Sequence, residues 1–155
     1  MKIVVKFLNA LIVTCFILLV AIVFMQVFFR YILGNSLSWA EETAQFIFIW
    51  LIYLGGIIRV RKGINIAFDV FLDSLPYKIW RIAFTLVNII SISFLLLIIV
   101  LGFDLALVNM TQLSSIMRLP MGFVYLAIPV GAVGMLIAQV DWYMNMMKKR
   151  RAEAC

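Results

Sequence analysis

The chain has no histidine, and only 13% of its 155 residues are Asp, Glu, Lys or Arg. The first absence removes Ser–His and Cys–His nucleophilic catalysis and most zinc chemistry. The second is about half the charged share of a soluble domain, too little polar surface to clothe a water-facing globule. Cysteine is nearly absent as well. Cys15 lies inside an apolar run and Cys155 is the last residue, so neither a disulfide framework nor a thiol-redox pair follows. The long apolar stretches carry no charge near their centres. A membrane enzyme therefore lacks its reactive groups, and a self-contained four-helix carrier lacks the ionisable residue it needs within a span. No internal repeat or low-complexity segment is present.

What the chain does have is hydrophobicity. Apolar residues make up 66% of it, against about 45–50% in soluble domains. Charge is missing from residues 7–29, 43–58, 82–103 and 119–140. A helix of about 22 residues spans about 33 Å, slightly more than a bilayer core of about 30 Å. The expected fold is an all-α integral membrane protein of one domain with four transmembrane helices, at about 7–29, 39–59, 79–104 and 119–141, and a basic tail over 142–155. Glu41 and Glu42 sit at headgroup level and extend the short second span outward. Lys2 and Lys6 form a basic start, but the following run is too long for a cleaved signal and ends in no small-residue site, so it reads as a retained anchor.

Basic residues set the orientation. Four spans place Lys2, Lys6, Arg59, Arg61, Lys62, Lys78, Arg81, Lys148, Lys149, Arg150 and Arg151 on one side and leave Arg30 and Arg118 on the other. The positive-inside rule then puts both termini in the cytoplasm. The net charge of +6 therefore reflects topology. A nucleic-acid partner is not expected, because that needs a basic face on a soluble module. Lys148, Lys149, Arg150 and Arg151 read as an anchor at anionic lipid.

Between the second and third spans, Ile64, Phe68, Phe71, Leu72 and Leu75 fall near one helical face. This favours a short amphipathic helix over 64–75 lying in the cytoplasmic interface and ended by Pro76. The alternative is an irregular loop with apolar anchors. At the start of the second span, Ser38-Trp39-Ala40-Glu41 reads as a capping box, with Trp39 at the opposite interface. Glu42 points to another face, with Gln45 and Phe46 one turn on; this polar stripe could meet Arg30 or a partner chain. Arg30 suits a helix C-terminus, or pairs with Glu41 or Glu42 across the short connection. Asp104 and Asp141 end their spans and do not read as proton relays. Gln26, Asn88 and Gln139 are expected to make interhelical hydrogen bonds.

The fourth span is punctuated. Pro120 fits its first turn and Pro129 must kink or locally loosen it. Ala127 with Gly131, and Gly134 with Ala138, are small residues four apart; Gly55 and Gly56 act similarly in the second span. These predict close helix packing.

Arg30-Tyr31, Ser38-Trp39-Ala40-Glu41-Glu42, Phe46 and Trp50 together form a familiar pattern. So do Arg61-Lys62-Gly63-Ile64-Asn65-Ile66 with Asp69, Leu75 and Pro76, and Leu119-Pro120-Met121-Gly122 with Tyr125, Pro129 and Gly131. In that order, over almost the whole chain, they resemble the small membrane subunit of tripartite ATP-independent periplasmic (TRAP) transporters. Two departures stand out: the family often has arginine where Gln45 stands and histidine where Asn65 stands. The resemblance implies a non-enzymatic scaffold with no cofactor of its own. Its implied partners are membrane lipids, a large multi-spanning subunit carrying the substrate and sodium sites, and a periplasmic binding protein delivering an organic acid such as a C4-dicarboxylate or sialic acid.

Overall fold

The computed structural model describes residues 2–63 and 77–153. All regular structure there is helical apart from one isolated bridge. Helix α1 covers Lys2–Ile32, α2 Ser38–Lys62, α3 Tyr77–Val108, the single turn α4 Gly122–Tyr125 and α5 Ala127–Glu153. Four segments are long and apolar enough to cross a membrane: Val5–Ile32, Ser38–Lys62, Ile79–Val108 and Gly122–Lys148. Four helices fit to span therefore stand where four spans were expected, each five to nine residues longer than its uncharged run, and the fourth begins at Gly122. The expected amphipathic helix over 64–75, with Asp69 and Pro76, lies outside the described residues. The basic run from Lys148 continues α5 as helix rather than leaving it as a tail.

The helices form a row, not a closed bundle. In the described residues α1 packs on α2, α2 on α5, and α5 on α3; no other pair of long helices brings its backbones together. The order is α1–α2–α5–α3, with α1 and α3 at the edges. The cause is visible in α1. Its half-buried positions are Val5, Leu8, Ile12, Cys15, Leu19, Ile22, Gln26 and Phe29, alternating steps of three and four. That is a single seam of the coiled-coil kind, wide enough for one neighbour. Phe7, Phe16, Ile17 and Phe24 on its other faces stay exposed. Such faces need lipid or another protein.

The α2–α5 seam relies on small residues, as expected. A Cβ on Gly131 would press on Tyr53, one on Gly56 on Met135, and one on Gly134 on Ile57. Of the four glycines inside α2 and α5, Gly55 alone faces open space. Without a hydrophobic drive in lipid, this close approach provides the van der Waals contact that joins two helices. At the seam's end Gly63 caps α2 in the left-handed region (φ 60°), its N–H bonded to the Val60 carbonyl at 3.0 Å. The indole of Trp142 packs against it where any side chain would stand.

The α3–α5 seam is aromatic near the basic end. Phe84 is stacked between Trp80, at 4.7 Å, and Tyr143, at 5.6 Å, with Trp142 tilted beside it. Further along, the Gln139 amide donates to Asn88 Oδ1 at 2.7 Å, and the buried Asn88 amide donates back to the Phe84 carbonyl at 2.8 Å. The Thr85 and Tyr143 hydroxyls lie 3.2 Å apart. The interhelical bonding expected of Asn88 and Gln139 is thus present. We expect Asn88→Leu to destabilise the protein by about 1–2 kcal/mol, because Gln139 loses its partner in a dry seam. Asn88→Leu with Gln139→Leu should cost less than the two single changes summed. A double-mutant cycle on unfolding in detergent measures that coupling, and strict additivity would mean the bond contributes nothing.

Pro129, fully buried, explains why the fourth span is broken into α4 and α5. Proline has no N–H, and its ring would collide with the carbonyl four residues back, at Tyr125. The helix is interrupted one turn upstream at Leu126, where the Leu126 N–H bonds to the Gly122 carbonyl at 2.9 Å. The expected loosening at the proline is thus present, while Leu126 itself keeps right-handed helical angles (φ −59°, ψ −22°).

Candidate functional site

The two ends of the row differ in what they bring together. Val5, Leu8, Arg61 and Asp141 lie together at one end; Glu42 and the residues that join α3 to α4 meet at the other. This second end holds the side-chain hydrogen bond of widest sequence separation among the described residues, and it is the candidate site.

Between α3 and α4 the chain folds into a small hairpin. Leu113 and Pro120 form an antiparallel bridge, flanked by Ser114 N–H to Leu119 O and Met121 N–H to Gln112 O, both 2.8 Å. Because those two bonds come from the residues on either side, Leu113 and Pro120 are a non-hydrogen-bonded pair. Pro120 therefore loses nothing by lacking an N–H. The expectation that it begins the helix is corrected: it closes the hairpin, α4 starts at Gly122, and residues 119–121 lie outside the fourth span. The Ser114 hydroxyl, buried, accepts from Leu119 N–H at 3.2 Å. Arg118 takes a left-handed conformation (φ 53°), a cost of about 1–2 kcal/mol for a residue with a Cβ. Residues 115–117 form the tight turn that precedes it.

This turn points its amides at one carboxylate. Met117 N–H donates to Glu42 Oε2 at 2.7 Å, across 75 residues of sequence. The Ser114 hydroxyl and the N–H groups of Ser115 and Ile116 lie near the same carboxylate. Successive backbone amides ending in a left-handed residue make an anion-binding concavity, and here a side chain of the same protein fills it. Thr43, one residue on, lies against Met117 Sδ at 3.1 Å and donates its hydroxyl to the Trp39 carbonyl at 2.7 Å. The beginning of α2 is thereby latched to the α3–α4 hairpin.

Two expectations are revised here. The capping box does not form: Leu37 is the N-cap, with no side-chain cap bond. The helix starts one residue earlier than the motif requires, so Ser38 is already inside the first turn. Arg30, exposed at the end of α1, makes no ion pair with Glu41 or Glu42 among the described residues. Glu42 is turned toward the hairpin instead, and Gln45, three residues on, is exposed.

The remaining singled-out residues scatter. Trp39 is exposed beside the latch, Glu41 is exposed, and Trp50 and Tyr125 are half-buried on their helices. Gly122 is buried under the Ala106 carbonyl, 2.6 Å from where a Cβ would stand. Gly131 and Pro129 belong to the seams. Lys148 is exposed, and Lys149, Arg150 and Arg151 continue α5 as helix. The sequence reading missed Ser114, Met117 and Arg118. The one available signal was Ser114-Ser115 between apolar residues just before Leu119-Pro120.

Around the latch, Tyr31, Trp39, Leu113, Ile116, Leu119 and Phe123 are all exposed. This is an apolar rim with a fixed carboxylate within it. Among the described residues no group of His, Cys, Asp and Glu could hold a metal.

Comparison with known proteins agrees with this architecture. Residues 19–148 match the family model described as tripartite ATP-independent periplasmic transporters, DctQ component. The chain is 34% identical over 101 residues to the C4-dicarboxylate TRAP transporter small permease protein DctQ of Rhodobacter capsulatus, covering 64% of this chain and 44% of that protein. It is 28% identical over 133 residues to the sialic acid TRAP transporter small permease protein SiaQ of Vibrio cholerae, covering 84% of this chain and 75% of that one. It is 31% identical over 94 residues to the isethionate TRAP transporter permease protein DctMQ of Oleidesulfovibrio alaskensis, covering 59% of this chain and only 15% of that protein. The matched regions thus span less than half of DctQ and a small part of DctMQ. With its four apolar spans and a family match over most of its length, the chain belongs to the DctQ family, the small permease component of TRAP transporters, a family of transporter subunits and not of enzymes.

Proposed function

We propose that this chain is the stationary scaffold of a TRAP transporter, holding a larger sodium-coupled subunit that moves an organic acid across the bacterial inner membrane. The single-layer helix row carries this reading. A row with open faces and with edge helices α1 and α3 lined by exposed apolar side chains is built to be packed against. A carrier, by contrast, needs ligands near mid-membrane, and the spans carry their charges at the ends. DctMQ carries a combined name with 15% of its length matched here, which supports association with a separate large subunit. The small-permease names of DctQ and SiaQ support a C4-dicarboxylate, sialic acid or similar acid as the cargo. In this reading both termini are cytoplasmic, and the latch faces the periplasm, where a binding protein delivers the acid.

The test is reconstitution. Proteoliposomes holding the large subunit and the binding protein should take up the acid in a sodium gradient only when this chain is also present. A tagged copy should bring the large subunit out of membranes. Full uptake without this chain, or uptake by this chain alone, would reject the scaffold role.

A further inference from the structure

The geometry points to a bound phospholipid with a zwitterionic headgroup of the phosphatidylethanolamine type, seated in a cleft between α1, α2 and α5 at the basic end. The inference needs only that these helices lie in a bilayer; it stands whether or not the scaffold reading does. The cleft has a volume of about 260 Å³. Ile57 and Ile58 of α2, Gly134, Ile137 and Ala138 of α5, and Val5 and Leu8 of α1 wall it. From Gly134 to Asp141 it runs about 10 Å along α5, at about 1.5 Å per residue. That suits part of an acyl chain, not a compact polar solute.

Its mouth decides the headgroup. Arg61 lies one turn beyond Ile57 and Ile58, and Asp141 lies one turn beyond Ile137 and Ala138, so both charges stand at one depth. Among the described residues they make no ion pair with each other or with another side chain. Two opposite charges left apart above an apolar slot match a phosphate on the guanidinium and an ammonium on the carboxylate. A purely anionic headgroup would set its charge against Asp141, and a bulky trimethylated one could not donate hydrogen bonds to it.

The test uses the full chain with its large partner, extracted in mild detergent, washed and examined by native mass spectrometry. The expected result is one phosphatidylethanolamine retained per chain in preference to phosphatidylglycerol and phosphatidylcholine. Arg61→Gln and Asp141→Asn should each lower retention about tenfold, and Ile137→Trp, at an exposed wall position, should abolish it. The swap of Arg61→Glu with Asp141→Arg should restore binding, since the headgroup can reverse. That rescue separates recognition from misfolding. Equal retention of phosphatidylglycerol, no loss in Ile137→Trp, or a cross-link from a cysteine at position 137 to the large subunit, showing a protein helix in the cleft, would each overturn the proposal.

Discussion

Gly131→Leu is expected to lower stability by about 1–3 kcal/mol, the usual cost of forcing extra carbons into a closed seam, and to separate the protein into two loosely joined halves. A Cβ at that position would stand 2.5 Å from Tyr53 Cβ, and a leucine adds three more carbons. In a bundle the displaced helix would still touch other partners. Here α2 and α5 are the middle of a row, and α1 and α3 do not reach across it. Opening the seam leaves α1 with α2, α3 with α5, and little but the Glu42 latch between the pairs. Thermal unfolding in detergent should show a lowered and broadened transition. Gly55→Leu is the control: it adds the same side chain to α2 where nothing lies within 4 Å of a Cβ, and it should stay within about 0.5 kcal/mol of the parent. Gly131→Leu with Tyr53→Ala should recover part of the loss. Equal effects at positions 55 and 131 would mean that the seam does not hold the row together.

The contrast between these two glycines marks what sequence can reveal about such a protein. Span number and the likelihood of close packing follow from run lengths and small-residue spacing, because both are properties of local composition. The row does not. On α1 the seam residues Leu8 and Ile12 and the exposed Phe7 and Phe16 are equally apolar, so hydropathy cannot distinguish a face that meets a helix from one that meets lipid. Asn88 and Gln139 were legible because a polar side chain in an apolar run needs a partner. The hairpin was not, because its bonds are made by backbone groups. Its left-handed residue is Arg118, not the glycine that would have announced a turn. The capping box failed for a third reason: a shift of one residue in where α2 begins removes the geometry while leaving the motif intact.

Glu42 therefore carries a different weight from the one its motif suggests, and Glu42→Ala is expected to release the hairpin from α2. The alanine leaves the Met117 amide without its acceptor and the turn of residues 115–117 without its tie to α2. Hydrogen exchange in that turn should quicken by roughly tenfold, the scale of losing a hydrogen bond to a charged group. Exchange elsewhere in α3 and α5 should change little, because the seams are made by other residues. Glu42→Gln should fall between the two, since an amide oxygen still accepts but carries no charge. Glu41→Ala, one residue away and exposed, should behave as the parent. If the hairpin positions the rim of Tyr31, Trp39, Ile116 and Leu119 for a partner, the same order must appear in complex yield and in reconstituted uptake: Glu42→Ala lowest, Glu42→Gln intermediate, Glu41→Ala unchanged. Faster exchange with unchanged uptake would leave the latch as a structural brace and remove its part in assembly. Unchanged exchange in Glu42→Ala would show that the turn holds itself and that the carboxylate merely rests there.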